Sequence, residues 1–195
     1  KGVARKRLTG GLPYLVCVGS LHPRKNIARL LEAFDRFAET NADARLVIVG
    51  EAFWWDERMK AAWKAMRHAD QVTFTGRLEQ TELHRVLADA LALVFVSYFE
   101  GFGIPVAEAM KCGVPVIAAN ATSLPEVAGD AAVYCDPFDV ASITSAMDRM
   151  WDDDALRTKL ATAGLERSVN YNWDRTAEGL WKSMERMLLE IPKVR

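Results

Sequence analysis

Six short runs rich in apolar and β-branched residues recur along the chain: YLVCVG (14–19), RLVIVG (45–50), VTFTG (72–76), LALVFV (91–96), VPVIAA (114–119) and AAVYC (131–135). Most are apolar throughout rather than alternating, the pattern of strands covered on both faces. Between the first two, Ile27, Leu30, Leu31, Phe34 and Phe37 repeat at helical spacing behind Asn26, a candidate N-cap. Leu83, Val86, Leu87 and Ala90 mark a shorter helix before the fourth run. Strand–helix alternation over about 135 residues predicts an α/β fold, a Rossmann-like doubly wound parallel sheet of six strands with right-handed crossovers. Past residue 138 the strand signal stops and C-terminal helices follow. Val140, Ile143, Met147 and Met150 mark one, capped by Asp139, and Leu156, Leu160 and Ala163 mark another. From Trp173, a stripe of Ala177, Leu180, Trp181, Met184 and Leu188 marks a long third helix and reads as core packing.

A length of 195 residues, half of them hydrophobic and 26% charged, fits one globular domain, or one with an appendage. Residues 1–12, basic and glycine-containing, read as a linker from a preceding domain. Residues 13–170 form the main domain, and 171–195 the closing helix. The net charge of −1, from 25 basic and 26 acidic residues, argues against non-specific nucleic-acid binding, which needs a basic surface. One local site for a small anion remains compatible with it. Cys17, Cys112 and Cys135 show no CxxC spacing, and two fall in strands, which suits a reducing compartment. No run approaches the roughly 18 apolar residues of a membrane span, and KGVARKRLTGG lacks an apolar signal core. The expected location is the cytoplasm or the cytoplasmic face of a membrane.

In doubly wound sheets, ligands sit beyond the carboxyl ends of the strands where the strand order reverses. For the order 3-2-1-4-5-6 this directs attention to loops 19–26 and 97–104. The first reads GSLHPRKN, with Gly19, Ser20, Arg24, Lys25 and Asn26. Two cations just before a helix N-terminus, itself carrying about half a positive charge, are unfavourable unless an anion joins them. Arginine grips phosphate oxygens bidentately and lysine adds a point charge; the alternative is a solvated basic loop. The second loop, SYFEGFGIP, carries Gly101 and Gly103, which permit positive φ and close backbone approach. Pro105 suits a first helical position and leaves the preceding amides free to point outward. Valine at 106 breaks GxGxxG and no GK[ST] follows, which disfavours an oxidoreductase or an NTPase. Glu108, early on the next helix, suits the paired hydroxyls of a ribose, or serves only as a favourable helix-start charge. Glu100, at the strand tip, faces whatever lies beyond the phosphates, or is an exposed loop residue.

EGFGIPVAEAM-CGVPVIA closely resembles the Glu-x7-Glu signature of retaining GT-B glycosyltransferases of the group-1 family, with Glu100 and Glu108 as its two glutamates. VGSLHPRKNIARLLEAF resembles that family's VGxLxxxKN element, with Arg24 and Lys25 at its diphosphate-binding positions. LVIVG, VTFTGRL, SLPEVAGDAAVYCDP and YNWDRTA follow in the family's order, so the resemblance spans roughly residues 12–190. It implies the donor-binding half of a two-domain transferase that takes a nucleotide-diphospho-sugar. GDP-mannose is the expected donor and UDP-glucose the alternative. The acceptor, a glycan or lipid-linked molecule, would be held by an absent N-terminal domain toward which the closing helix packs. The implied catalytic group is Glu100, Arg24 and Lys25. The implied substrate contacts are Gly19, Ser20, Arg77, Leu78, Gly101, Phe102, Gly103, Ile104 and Glu108. Arg24 and Lys25 would neutralise the departing diphosphate, the 101–103 amides would help hold sugar and β-phosphate, and no metal or other cofactor is required. Full-length membrane association would be peripheral.

Phe53, Trp54 and Trp55 depart from the family's usual glycine-rich turn; they stack near the base, meet the other domain, or form a local cluster. The WDDD run at 151–154 reads as helix capping rather than a metal site. His22 is a candidate auxiliary contact, whereas His68 and His84 read as solvated. Two other functions remain compatible with the chain: a nucleotide-sugar binding module without catalysis, and a GT-B-type sugar-nucleotide epimerase.

Overall fold

The computed structural model describes residues 2–190. Its sheet has six parallel strands, β1 (Tyr14–Val18), β2 (Arg45–Val49), β3 (Val72–Gly76), β4 (Ala92–Phe95), β5 (Val116–Ala119) and β6 (Ala132–Cys135). They lie in the order β3-β2-β1-β4-β5-β6, with Leu15 opposite Leu46 on one side and Ala92 on the other. The predicted order and the predicted reversal between β1 and β4 are both present.

The reason the strands read as apolar throughout is visible in the packing. Successive side chains point to opposite faces, and each face has its own core. Leu15, Cys17, Leu46, Ile48, Val94 and Ile117 enter one core, with α2 (Ile27–Ala38), α3 (Glu57–Ala65) and α7 (Val140–Asp152). Tyr14, Val16, Val47, Leu93 and Phe95 enter the other, with α4 (Gln80–Asp89), α5 (Ile104–Lys111) and α6 (Leu124–Ala128). Pro115 precedes β5, which starts at Val116 rather than at 114, as expected of a residue that has no amide for the ladder.

Two expectations need correction, and α1 (Val3–Thr9) adds a helix within the stretch expected to link to a preceding domain. The Asp89 carboxylate at the end of α4 accepts hydrogen bonds from the amides of Gly2 (2.6 Å), Ala4 (2.9 Å) and Arg5 (3.4 Å), and Ala4 is buried beneath. A distant carboxylate thus supplies the N-cap that Gly2 lacks. The stripe on α9 (Trp173–Glu190) is not core: Trp173 and Trp181 are 81% and 63% exposed, and Leu180, Met184 and Leu188 are exposed as well. Amphipathic spacing sorts one face from the other without supplying a partner. Finally, His68 is not solvated, since its Nδ1 lies 3.1 Å from Asp35.

As expected, α8 (Asp154–Ser168) is capped from the WDDD run, with Asp153 accepting from the Leu156 amide at 2.8 Å. Among the described residues, no group of three or more His, Cys, Asp or Glu is placed to hold a metal ion, and no helix is long and apolar enough to cross a membrane.

Candidate functional site

The two loops singled out by the strand order meet above the gap between β1 and β4. The first leaves β1 at Gly19 and forms one 3-10 turn, Pro23–Lys25, before α2. His22 caps this turn, its Nδ1 accepting from the Arg24 amide at 3.2 Å, so its role is to shape the loop. Asn26 does not cap α2 through its side chain. It adopts a left-handed φ of 59° and its amide group donates to Val96 O (3.0 Å) and Pro137 O (2.7 Å). This buried side chain therefore ties together the loops that follow β1, β4 and β6.

The second loop is fastened to the first by Tyr98 N donating to Arg24 O at 2.8 Å. Three charges converge there. Lys25 Nζ lies 2.6 Å from Glu100 Oε1, and Arg24 Nη1 lies 2.8 Å from Glu100 Oε2 and donates to Phe99 O at 3.2 Å. Lys25 also sits over the Phe95 ring, 4.5 Å from its centroid. Lys25 and Glu100 are only 7% and 8% exposed, so Glu100 is no exposed loop residue, whereas the Arg24 side chain is 42% exposed. Burial alone would push the Glu100 carboxyl up, but the Lys25 ammonium and the Arg24 guanidinium outweigh it and hold it below the usual carboxylate range. The triad carries one net positive charge.

Beside it runs the turn 101–103. Gly103 has φ 95°, and a Cβ there would sit 2.7 Å from Leu124 Cδ2, so glycine is required. Gly101 is not in the left-handed region and faces open space, contrary to expectation. The amides of Gly101, Phe102 and Gly103 have no hydrogen-bond partner among the described residues. They precede α5, which has Pro105 in its first turn and Ile104 exposed at its start. Free amides at a helix start are favourably placed for an anion.

The loop after β5 supports the turn from below. Thr122 Oγ1 accepts from Glu100 N (3.1 Å) and Ser123 Oγ donates to Glu100 O (3.0 Å). Thr122 adopts φ 50°, a left-handed conformation costing a β-branched residue about 1–3 kcal/mol.

On the β2 side of the gap, Gly19, Ser20, Arg77 and Leu78 line one open cleft of about 260 Å³, together with Gly50 and Glu51. Sequence reasoning missed Gly50. A Cβ there would lie 2.0 Å from Gly19 O, so the two loops touch only because it is glycine. Glu108, half-buried on α5, accepts from Gln80 Nε2 at 3.0 Å, and Gln80 opens the helix whose Leu83 lines the cleft. The aromatics after β2 divide. Trp55 joins the core edge-on to Phe74 (5.4 Å), Trp54 lies edge-on to His22 (5.8 Å), and Phe53 is exposed. The structure thus brings Arg24, Lys25 and Glu100 into direct contact beside Gly101, Phe102 and Gly103, and gathers Gly19, Ser20, Arg77 and Leu78 around the adjoining cleft.

Fold and site together define a doubly wound α/β domain with an ion-paired triad at its switch point and a row of free amides next to it. The family model described as glycosyl transferases group 1 matches residues 4–167. The chain is 34% identical over 165 residues to the O-antigen chain mannosyltransferase B of Escherichia coli, covering 83% of this chain and 42% of that protein. It is 29% identical over 191 residues to a protein of Corynebacterium glutamicum named GDP-mannose-dependent monoacylated α-(1-6)-phosphatidylinositol monomannoside mannosyltransferase, covering 92% and 49%. It superposes on sucrose-phosphate synthase from Thermosynechococcus elongatus with a TM-score of 0.83 and 25% identity, covering 95% of this chain and 48% of that one. This chain belongs to the group 1 glycosyltransferases and has the fold of one Rossmann-like half of a GT-B enzyme. It spans less than half the length of each of these three relatives.

Proposed function

We propose that this chain is the donor-binding domain of a retaining glycosyltransferase that uses a nucleotide-diphospho-sugar, with GDP-mannose as the donor. The observation that carries this reading is the convergence of Arg24, Lys25 and Glu100 beside the unpartnered 101–103 amides at the β1/β4 switch point. The relatives' names, one of them GDP-mannose-dependent by name, support the choice of donor.

In this reading Arg24 and Lys25 meet the diphosphate, whose charge grows as the bond from the anomeric carbon to the β-phosphate oxygen breaks. The electron pair leaves with the nucleoside diphosphate, the acceptor oxygen bonds to the same face of the sugar, and the acceptor's hydroxyl proton passes to the departing phosphate oxygen. Stabilising that developing charge is commonly the largest catalytic contribution. Glu100 turns from the cations to the sugar hydroxyls, while the amides of Gly101, Phe102 and Gly103 hold the β-phosphate. Glu108, oriented by Gln80, accepts from the ribose hydroxyls, and the cleft bordered by Arg77 and Leu78 takes the base. Two side-chain cations and a helix start already oppose the phosphate charge, so a divalent cation is not required. The exposed face of α9 packs on the acceptor-binding half, which holds a glycan or lipid-linked acceptor.

Calorimetric titration of the chain with GDP, UDP and ADP, each with and without EDTA, tests the proposal. GDP is expected to bind, and EDTA to leave its affinity within twofold. A chain that binds none of the three refutes the site, and abolition of binding by EDTA refutes metal independence.

A further inference from the structure

A threonine in the left-handed region needs an explanation, because a β-branched side chain resists that conformation more than most. Thr122 holds φ 50° on the loop between β5 and α6, and its hydroxyl accepts from the Glu100 amide. Ser123, next along, donates to the Glu100 carbonyl. Leu124 then packs at the point where a side chain on Gly103 would stand. Three successive residues, the last of them opening α6, therefore grip both ends of the turn that carries Glu100 and the free amides. Both main-chain groups of Glu100 are satisfied by hydroxyls from another strand's loop, and its carboxylate alone remains to contact Lys25 and Arg24. Backbone strain that persists beside a candidate site is held there by its surroundings, and here the holding contact is the one to Glu100.

We propose that Thr122 and Ser123 are positioning residues, a clamp that fixes the main chain of Glu100 so that only its side chain swings between the cations and the sugar. This rests on the donor-binding reading above. The clamp acts on the donor sugar through the Glu100 side chain, whereas the diphosphate is held mainly by Arg24 and Lys25, with the 101–103 amides adding to their grip. The two ligands should therefore respond differently.

The test is calorimetric titration of the chain with GDP-mannose and with GDP, or with UDP-glucose and UDP if the nucleotide screen selects uridine. Thr122→Ala should weaken nucleotide-sugar binding about tenfold and leave nucleoside-diphosphate binding within twofold, and Thr122→Ser, which keeps the hydroxyl, should retain most of the lost affinity. Thr122→Gly removes the hydroxyl and relieves the strain, so its thermal midpoint should not fall although sugar-nucleotide affinity does. Adding Thr122→Ala to Glu100→Gln should produce no further tenfold loss, because both changes act on one contact. Equal weakening of both ligands, full affinity of Thr122→Gly for the sugar nucleotide, or strictly additive losses in the double variant would each overturn the clamp. Failure of the parent chain to bind either ligand would instead refute the donor-binding reading itself.

Discussion

Replacing Glu100 with glutamine keeps its volume and one hydrogen-bond acceptor, and removes the charge and the second acceptor, which becomes an amide donor. What remains is a Lys25 ammonium that is 7% exposed, with the Arg24 guanidinium close by and no anion between them. Removing one partner of a fully buried ion pair costs about 3–5 kcal/mol. The crevice is open, the Arg24 side chain is 42% exposed, and glutamine can still accept from lysine, so about 2 kcal/mol is the appropriate figure here. For a domain of this size that corresponds to a fall of roughly 4–8 °C in thermal midpoint at pH 7. The pH dependence follows from the sign of the shift. The Glu100 carboxyl lies below its ordinary range in the folded chain, so its contribution is complete above the unfolded value near about 4.3 and is lost as pH falls through the folded value. The gap between parent and variant should therefore be full at neutral pH and close under acid conditions. A nucleoside diphosphate, which lacks the transferred sugar that Glu100 would hold, should bind the variant more tightly than the parent and restore most of the lost stability. Thermal melts from pH 3 to pH 8, with and without GDP, measure all of this. A variant that melts at or above the parent temperature at pH 7, with no gain in GDP affinity, would refute the claim that Glu100 is the internal counter-ion of this site.

Arg24→Ala and Glu108→Ala should each weaken nucleotide-sugar binding by about 1.5–3 kcal/mol, the range for hydrogen bonds to charged groups; titration affinities within twofold of the parent would remove those residues from the site. Asp89→Ala should release α1, because three amides at its start lose their acceptor, at about 1–2 kcal/mol. Limited proteolysis should then cleave within residues 2–12 before the sheet opens, and unchanged resistance there would contradict the capping role.

The architecture was legible because burial on both faces writes itself into each strand locally: YLVCV, RLVIV and ALVF admit few other readings. The two switch-point loops were legible because strand order alone decides where they lie. Features that depend on a partner distant in sequence were not legible. Helix α1 forms against Asp89, more than eighty positions away, and nothing in KGVARKRLTGG signals it. The exposed stripe of α9 has the same periodicity as a buried one, since spacing encodes a face and not what covers it. Asn26 stands where an N-cap belongs, yet its amide reaches the loops of two other strands. The Glu-x7-Glu spacing singled out Glu100, but its pairing with Lys25 required β4 to lie beside β1.

That pairing changes how ligand entry is to be understood. A lysine and an arginine facing this crevice without an anion would repel each other and oppose the positive end of a helix, and the folded chain would be the less stable for it. Glu100 removes the conflict from within: it neutralises one of the two charges and is itself held ionised by both. Under the donor-binding proposal, an incoming diphosphate would exchange with a carboxylate rather than fill a void, and the displaced carboxylate would be released beside the sugar, where a hydroxyl acceptor is wanted. With the main chain of Glu100 gripped by Thr122 and Ser123, that exchange would need only side-chain rotation, and under the proposal the same residue would serve as counter-ion before binding and as sugar contact after it.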